Sequence, residues 1–297
     1  MRAVVLRRAG SADGLTLTDV PKPTAGPGEV LVRIRAASVT RGDVVLRKMP
    51  KLITRLVGET PKSILGNEFA GDVEDLGEGV TSLAVGDRVF GTTTGLRQGS
   101  YAEYIAIPAS GLLATVPPRI SYEEAAPVPV GAMAAMHFLR VGGVGSDKRI
   151  LINGASGSVG SFAVQIAKHL GAQVTAVSST SNLDLVESLG ANEVIDYTKQ
   201  DFTQVDQTYD LIFDAVGKTS AKRVAGVLAE GGAFVTTQTR RDETAEDLLA
   251  IRELLEAGAL RAVIDRRYTL EQIPEAHRYV EQGRKRGNVV IVVESST

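Results

Sequence analysis

The sequence predicts an α/β protein built as a barrel-like β domain joined to a doubly wound parallel sheet, and three observations carry that expectation. The first 120 or so of its 297 residues hold short stretches of period-2 apolar alternation separated by glycine and proline turns. From about Tyr122 the pattern changes to short apolar strands spaced by helical segments, the punctuation of βαβ units and hence of a parallel sheet. The last residues, AVIDRRYTL and GNVVIVVE, return to strand around a short helix in PEAHRYVEQG. A chain of this length is comfortable as two domains of about 100–200 residues each.

The individual elements follow from local chemistry. LTLTDV (Leu15–Val20) and EVLVRIRAAS (Glu29–Ser38) alternate across the breaker cluster PKPTAGPG, and FAGDVEDLGEGV, LAVGDRVFG and the polar GTTTGLRQGS continue the strand-and-turn rhythm. RILIN (Arg149–Asn153), QVTAVS, EVID, DLIFD and GAFVT read as buried parallel strands. After the first of these, Val159, Phe162, Ala163, Ile166, Ala167 and Leu170 fall at helical spacing and Gly171 ends the helix. Thr219 or Ser220 is positioned to cap a helix running to Gly231-Gly232, and Thr244 with Asp247 forms a capping box before LLAIRELLEAG.

Composition narrows the chemistry. Hydrophobic residues make up 43% and charged residues 23%, the profile of a chain with a real core. With 33 basic and 35 acidic side chains the formal net charge is −2, so the overall field favours neither nucleic acid nor anionic lipid. Cysteine is absent, which removes disulfides, thiolate nucleophiles and Cys-ligated metals together. His137, His169 and His277 are scattered without a ligand pair on one helix face, and no metal site is expected. No stretch approaches the roughly 20 apolar residues of a membrane span and no signal-peptide run is seen, so a cytoplasmic location is expected.

The informative segment is RILINGASGSVGSFAVQIAKHLGAQVTAVS, which places a buried strand, a glycine-rich turn, an amphipathic helix and a second buried strand in the order a dinucleotide fold requires. The turn reads Ala155-x-Gly157-x-x-Gly160, with Gly154 available for the tight bend. Gly154, Ala155, Ser156, Gly157, Ser158, Val159 and Gly160 are thus expected to cradle a pyrophosphate on backbone amides at a helix start. The second strand ends in Ser178-Ser179-Thr180 in place of the acidic residue that binds an NAD ribose. Hydroxyls leave room for a 2′-phosphate, so the expected cofactor is NADPH, with Tyr197 and Lys199 offering a further hydroxyl and a positive charge. The alternative is that these hydroxyls only cap the following helix. Ala215, Val216 and Gly217, after the strand ending at Asp214, are placed for backbone contacts with the nicotinamide ribose.

Taken together, SVTRGD (Ser38–Asp43), LGNEFAGDVEDLGEGV (Leu65–Val80), VGDRVFG (Val85–Gly91), EEAAPVPVGAMAAMHFL (Glu123–Leu139) and NGASGSVG (Asn153–Gly160) resemble the medium-chain dehydrogenase/reductase superfamily in its zinc-independent quinone oxidoreductase branch, also called zeta-crystallin-like. The resemblance covers nearly the whole chain. It implies a GroES-like β-barrel domain (1–120 and 262–297) and a Rossmann doubly wound parallel sheet (121–261), with hydride transfer from NADPH to a quinone or α,β-unsaturated carbonyl held in an apolar cleft between them. In the zinc-dependent branch the segment at Gly66-Asn67-Glu68 carries a metal-binding histidine and a cysteine sits near Thr40. Here asparagine and threonine stand there, so hydrogen-bond donors must polarise the acceptor. Thr40 and Asp43 are the candidate catalytic residues, the alternative for Asp43 being a solvated or capping aspartate.

The chain also departs from the family pattern. Thr40 replaces a usual asparagine and Ala134 a usual threonine, and after GGAFVTT only Gln238–Glu243 precede the next helix, so the sheet is expected to be one strand short and a homodimer weakened or rearranged. Those losses motivate an alternative reading, a nucleotide-binding protein of the same fold with weak or no catalysis. Arg41–Lys62 holds Arg41, Arg47, Lys48, Lys51, Arg55 and Lys62 but no aromatic residue. That makes it a solvated rim rather than an RNA-stacking surface. VVLRKMPKLITRL contains no tyrosine to act as the proton donor of an enoyl-thioester reductase, which ranks that chemistry lower.

Overall fold

The computed structural model describes residues 1–49, 64–93 and 98–293. Its first elements are β1 (Arg2–Leu6), β2 (Leu15–Asp19), β3 (Glu29–Ser38), α1 (Arg41–Lys48), β4 (Glu68–Leu76), β5 (Arg88–Thr92), β6 (Tyr104–Pro108), β7 (Leu113–Thr115), α2 (Tyr122–Ala125) and α3 (Pro129–Val141). They are followed by β8 (Arg149–Asn153), α4 (Ser158–His169), β9 (Gln173–Ser178), α5 (Leu183–Ser188), β10 (Glu193–Asp196), β11 (Tyr209–Asp214), α6 (Ala221–Val224) and β12 (Leu228–Thr236). The chain closes with α7 (Ala245–Glu256), β13 (Ile264–Thr269), α8 (Ile273–Glu281) and β14 (Asn288–Val292). It divides into two compact units, one of Met1–Val130, Leu248–Arg252 and Ile264–Thr297, the other of Gly131–Asp247 and Glu253–Val263.

In the first unit a seven-stranded sheet runs β13-β14-β3-β4-β5-β7, with β6 on β3. Strand β3 is its spine because it is long enough to serve three neighbours. Residues 30–37 pair antiparallel with β4, residues 29–33 pair with β6 on the other edge, and residues 36–38 pair with β14. The alternation seen in EVLVRIRAAS places Val30, Val32 and Ile34 in a core with Phe69, Val73, Val89, Tyr101, Ile273 and Ile291.

The second unit is a five-stranded parallel sheet in the order β10-β9-β8-β11-β12. The strands RILIN, QVTAVS and YDLIFD are buried on both faces, which is why they carry continuous apolar runs rather than alternation. The sheet ends at β12, as the short segment after GGAFVTT predicts; no sixth strand joins it among the described residues.

Local expectations are met with two exceptions. Thr244 caps α7 through the predicted box with Asp247, and α4 ends at Gly171, whose φ of +83° only glycine adopts at low cost. The helix expected to run to Gly231-Gly232 is instead the four-residue α6, because Val224 and Val227 turn into the core with Tyr209 and Leu228 already pairs with β11. Tertiary burial of those side chains wins over the helical spacing. The second exception is Arg47. The basic stretch reads as a solvated rim, yet Arg47 is fully buried with its Nη2 2.6 Å from Glu281 Oε2, while Lys51, Arg55 and Lys62 lie outside the described residues.

Candidate functional site

The nucleotide end of the second unit is assembled from the ends of three strands. Beyond β8 the chain bends at Gly154 (φ +80°), and the amides of Gly154 and Ala155 both donate to Val177 O at 3.1 Å, tying the turn to β9. A Cβ on Gly160 would sit 2.2 Å from Gly154 O, and one on Gly154 would sit 2.3 Å from Val216 Cγ2. Both glycines are therefore required by contact, so that α4 begins directly over the turn. Gly157 is the N-cap of α4 and supplies no side-chain cap, and the amides of Val159 and Gly160 find no acceptor among the described residues. This twelve-residue helix thus presents its positive end bare of any protein acid, a cradle whose chemistry fits a pyrophosphate.

Ser156, Ser178 and Ser179 are brought together as expected. Ser178 Oγ donates to Ser156 Oγ at 2.8 Å, and Asn182, which sequence reasoning missed, donates to Ser156 Oγ at 3.3 Å and Ser179 Oγ at 3.1 Å. Thr180 turns instead to Asp196, donating to Oδ2 at 2.5 Å. Tyr197 is exposed beside it, as is Lys199, whose Nζ lies 3.6 Å from Asp196 Oδ2. The expectation of hydroxyls without an acid therefore needs amending, because the carboxylate arrives from β10 rather than from the end of β9.

On the other side of the turn, Asp214 organises the loop that holds Ala215, Val216 and Gly217. Its Oδ1 accepts from the amides of Val216 and Gly217 at 3.1 Å and from Asn153 Nδ2 at 3.0 Å. Its Oδ2 accepts from the amides of Lys218 and Thr219 at 2.8 Å. Gln238, from the short segment after β12, donates to Gly217 O at 2.6 Å and packs against its Cα. Neither role has a sequence signal beyond an aspartate ending a buried strand.

In the first unit, Thr40 and Asp43 form the capping box of α1. Thr40 Oγ1 donates to Asp43 Oδ2 at 2.6 Å and accepts from the Asp43 amide at 3.2 Å, while the Thr40 amide donates to the same Oδ2 at 2.7 Å. Thr40 is half-buried, but Asp43 is wholly buried, facing Tyr101. Neither Asp43 Oδ1 nor the Tyr101 hydroxyl completes a hydrogen bond of normal geometry. Burial, partly offset by the Thr40 hydrogen bonds, pushes the Asp43 carboxyl up to about 6. Glu68 is buried as well, accepting from Ser38 Oγ and, at 2.7 Å, from the Val130 amide, and burial raises it to about 7. Lys285, an opposing charge for Glu68, is lowered by burial to about 8.

Two predictions follow from these carboxylates. Asp214→Asn leaves the Lys218 and Thr219 amides facing an NH2 group, so urea unfolding should show a loss of about 3 kcal/mol or more; an unchanged midpoint would remove Asp214 from this role. Asp43 and Glu68 are raised above their unfolded values, so the stability they contribute is complete below about pH 4 and is lost as pH rises through about 6 and then about 7. Lys285 acts with its own sign only above about pH 8. Glu68→Gln should therefore flatten the fall in unfolding free energy between roughly pH 5 and 8. An identical slope in wild type and variant would contradict the assignment.

Comparison with known proteins agrees with this geometry. Residues 26–118 match the family described as alcohol dehydrogenase GroES-like domain, and residues 158–282 the family described as zinc-binding dehydrogenase. A 2-methylene-furan-3-one reductase from Solanum lycopersicum is 34% identical over 95% of this chain and 76% of its own. An NADPH-dependent alkenal/one oxidoreductase from Arabidopsis thaliana is 31% identical over 98% of this chain and 79% of its own. The solved quinone oxidoreductase from Coxiella burnetii superposes with a TM-score of 0.90 at 26% identity, covering 99% of both chains. The sequence has no cysteine, and among the described residues no three His, Asp or Glu side chains converge as ligands for a metal. With a GroES-like domain, a parallel nucleotide-binding sheet and oxidoreductase relatives over its whole length, the chain belongs to the zinc-independent quinone oxidoreductase branch of the medium-chain dehydrogenase/reductase family.

Proposed function

We propose that this oxidoreductase uses NADPH to reduce a quinone or an α,β-unsaturated carbonyl compound without a metal. The observation that carries the reading is the bare helix start at Val159 and Gly160, held over the Gly154 turn by contacts that no side chain could share. The Val159 and Gly160 amides at the start of α4 hold the pyrophosphate over the 154–158 turn, and Ser178, Ser179, Thr180, Tyr197 and Lys199 surround the adenosine ribose. The loop of Ala215, Val216 and Gly217, braced by Asp214 and Gln238, carries the nicotinamide ribose on backbone groups. When bound, the nicotinamide supplies the hydride. Two relatives, an alkenal/one oxidoreductase and a 2-methylene-furan-3-one reductase, support the acceptor class.

Within the first unit, Thr40 is assigned the contact with the acceptor, and Asp43, which has no exposed surface, acts through it as a positioning residue. The Thr40 proton is directed to Asp43 Oδ2, so the hydroxyl offers its lone pair outward and water supplies the proton that completes reduction. That commitment, with an alanine at 134, favours slow turnover and gives weight to the second reading, a nucleotide-binding protein with weak or no catalysis.

Loss of NADPH absorbance with 1,4-naphthoquinone or an alkenone, above the rate without protein, is the expected result. Binding of NADPH without turnover over a broad acceptor panel would favour the second reading, and no binding of either pyridine nucleotide would defeat both. Thr40→Ser should keep the cap and the activity, whereas Thr40→Ala should lose about 1 kcal/mol of stability and lower kcat/KM. Strand β12 leaves one edge unpaired among the described residues, and its residues are mostly half-exposed. We therefore expect sedimentation to show a weak or rearranged dimer; a tight symmetric dimer joined through the central sheets would refute this.

A further inference from the structure

Resting on the nucleotide reading above, we infer that Asp196 is a specificity-determining residue at the adenosine end of the site, a carboxylate that works against a 2′-phosphate and so limits the preference for NADPH over NADH. In dinucleotide folds the ribose 2′ position is read where the second strand of the unit ends. Here that strand is β9, ending at Ser178, and Asp196 stands in register with Ser178 on the adjacent strand β10. The acid is therefore displaced by one strand but delivered to the same end of the sheet.

Its hydrogen bonds decide what the neighbouring hydroxyls can do. Thr180 Oγ1 donates to Asp196 Oδ2 at 2.5 Å, and Thr198 Oγ1 donates to Oδ1 at 2.7 Å, with the Thr198 amide on Oδ1 at 3.0 Å. Each threonine has one hydroxyl proton, and the two hydroxyls lie 3.0 Å apart, so both protons are taken up within this cluster, by the carboxylate or by the neighbouring threonine. What faces a 2′-phosphate is then two lone pairs backed by a negative charge, although from sequence Thr180 looks like a phosphate donor. These same bonds hold Asp196 down to about 2, so it is charged at any working pH. The opposing attraction comes from exposed Lys199, 3.6 Å from the carboxylate, and from the Tyr197 hydroxyl. Discrimination here is a balance between one repulsive and one attractive charge.

Asp196→Asn tests this without emptying the space. An amide can still accept from Thr198, and it donates to Thr180 Oγ1, which frees the Thr180 proton for a phosphate oxygen. Calorimetry on the full chain with NAD+ and NADP+ should show the ratio of their dissociation constants moving toward NADP+ by roughly tenfold in the variant. Lys199→Met should move the ratio the other way. An unchanged ratio in Asp196→Asn, with both nucleotides still bound, overturns the inference and leaves the nucleotide site intact. Equal weakening of both nucleotides also overturns it, by reducing Asp196 to a brace for the loop. If the wild-type chain takes up neither nucleotide, the underlying reading fails, and this inference with it.

Discussion

The second unit depends on one close approach, the carbonyl oxygen of Gly154 lying where a side chain at position 160 would begin. Because Gly160 has no Cβ, α4 can start directly above the turn that leaves β8, and its N-cap supplies no capping side chain. The same turn is pulled toward β9 by two amides on Val177 O and packs on Val216 from the loop after β11. This close approach, the two amides on Val177 O and the packing on Val216 together set the spacing of three strand ends.

In each unit, polar groups are organised by buried or half-buried carboxylates. Asp214 gathers four backbone amides and the Asn153 side chain, converting a loop of no regular structure into a fixed shelf. Asp196 gathers two hydroxyls at the opposite edge. In the first unit Asp43 ends β3's path into α1, and Glu68 ties β4 to the start of α3. Each of these acids satisfies donors that would otherwise be stranded. Desolvation raises Asp43 and Glu68, which are fully buried, while hydroxyl bonds hold Asp196, which is only partly buried, low.

Truncation after β12 changes the sheet without disturbing the turn. The segment that would lead to a further strand is reduced to a few polar residues, and one of them, Gln238, is used to cover Gly217. The loop of Ala215, Val216 and Gly217 therefore stays braced, while among the described residues the outer edge of the sheet is left at β12.

By itself the sequence determined the two-part architecture, the parallel strands implied by βαβ punctuation, the glycine turn and the capping box at Thr244, because each of these rests on contacts within a few residues or on a periodicity that one segment carries alone. Folding decided the rest. Arg47 is buried and reaches Glu281, far away in sequence and itself at the surface, and Asp196 stands at the end of β9 because β10 lies beside it. The helix expected after Ser220 gave way to β12 because Val224 and Val227 bury against Tyr209. These outcomes depend on which distant side chains share a low-dielectric space or a hydrogen-bond ladder, and no local pattern of residues contains that information.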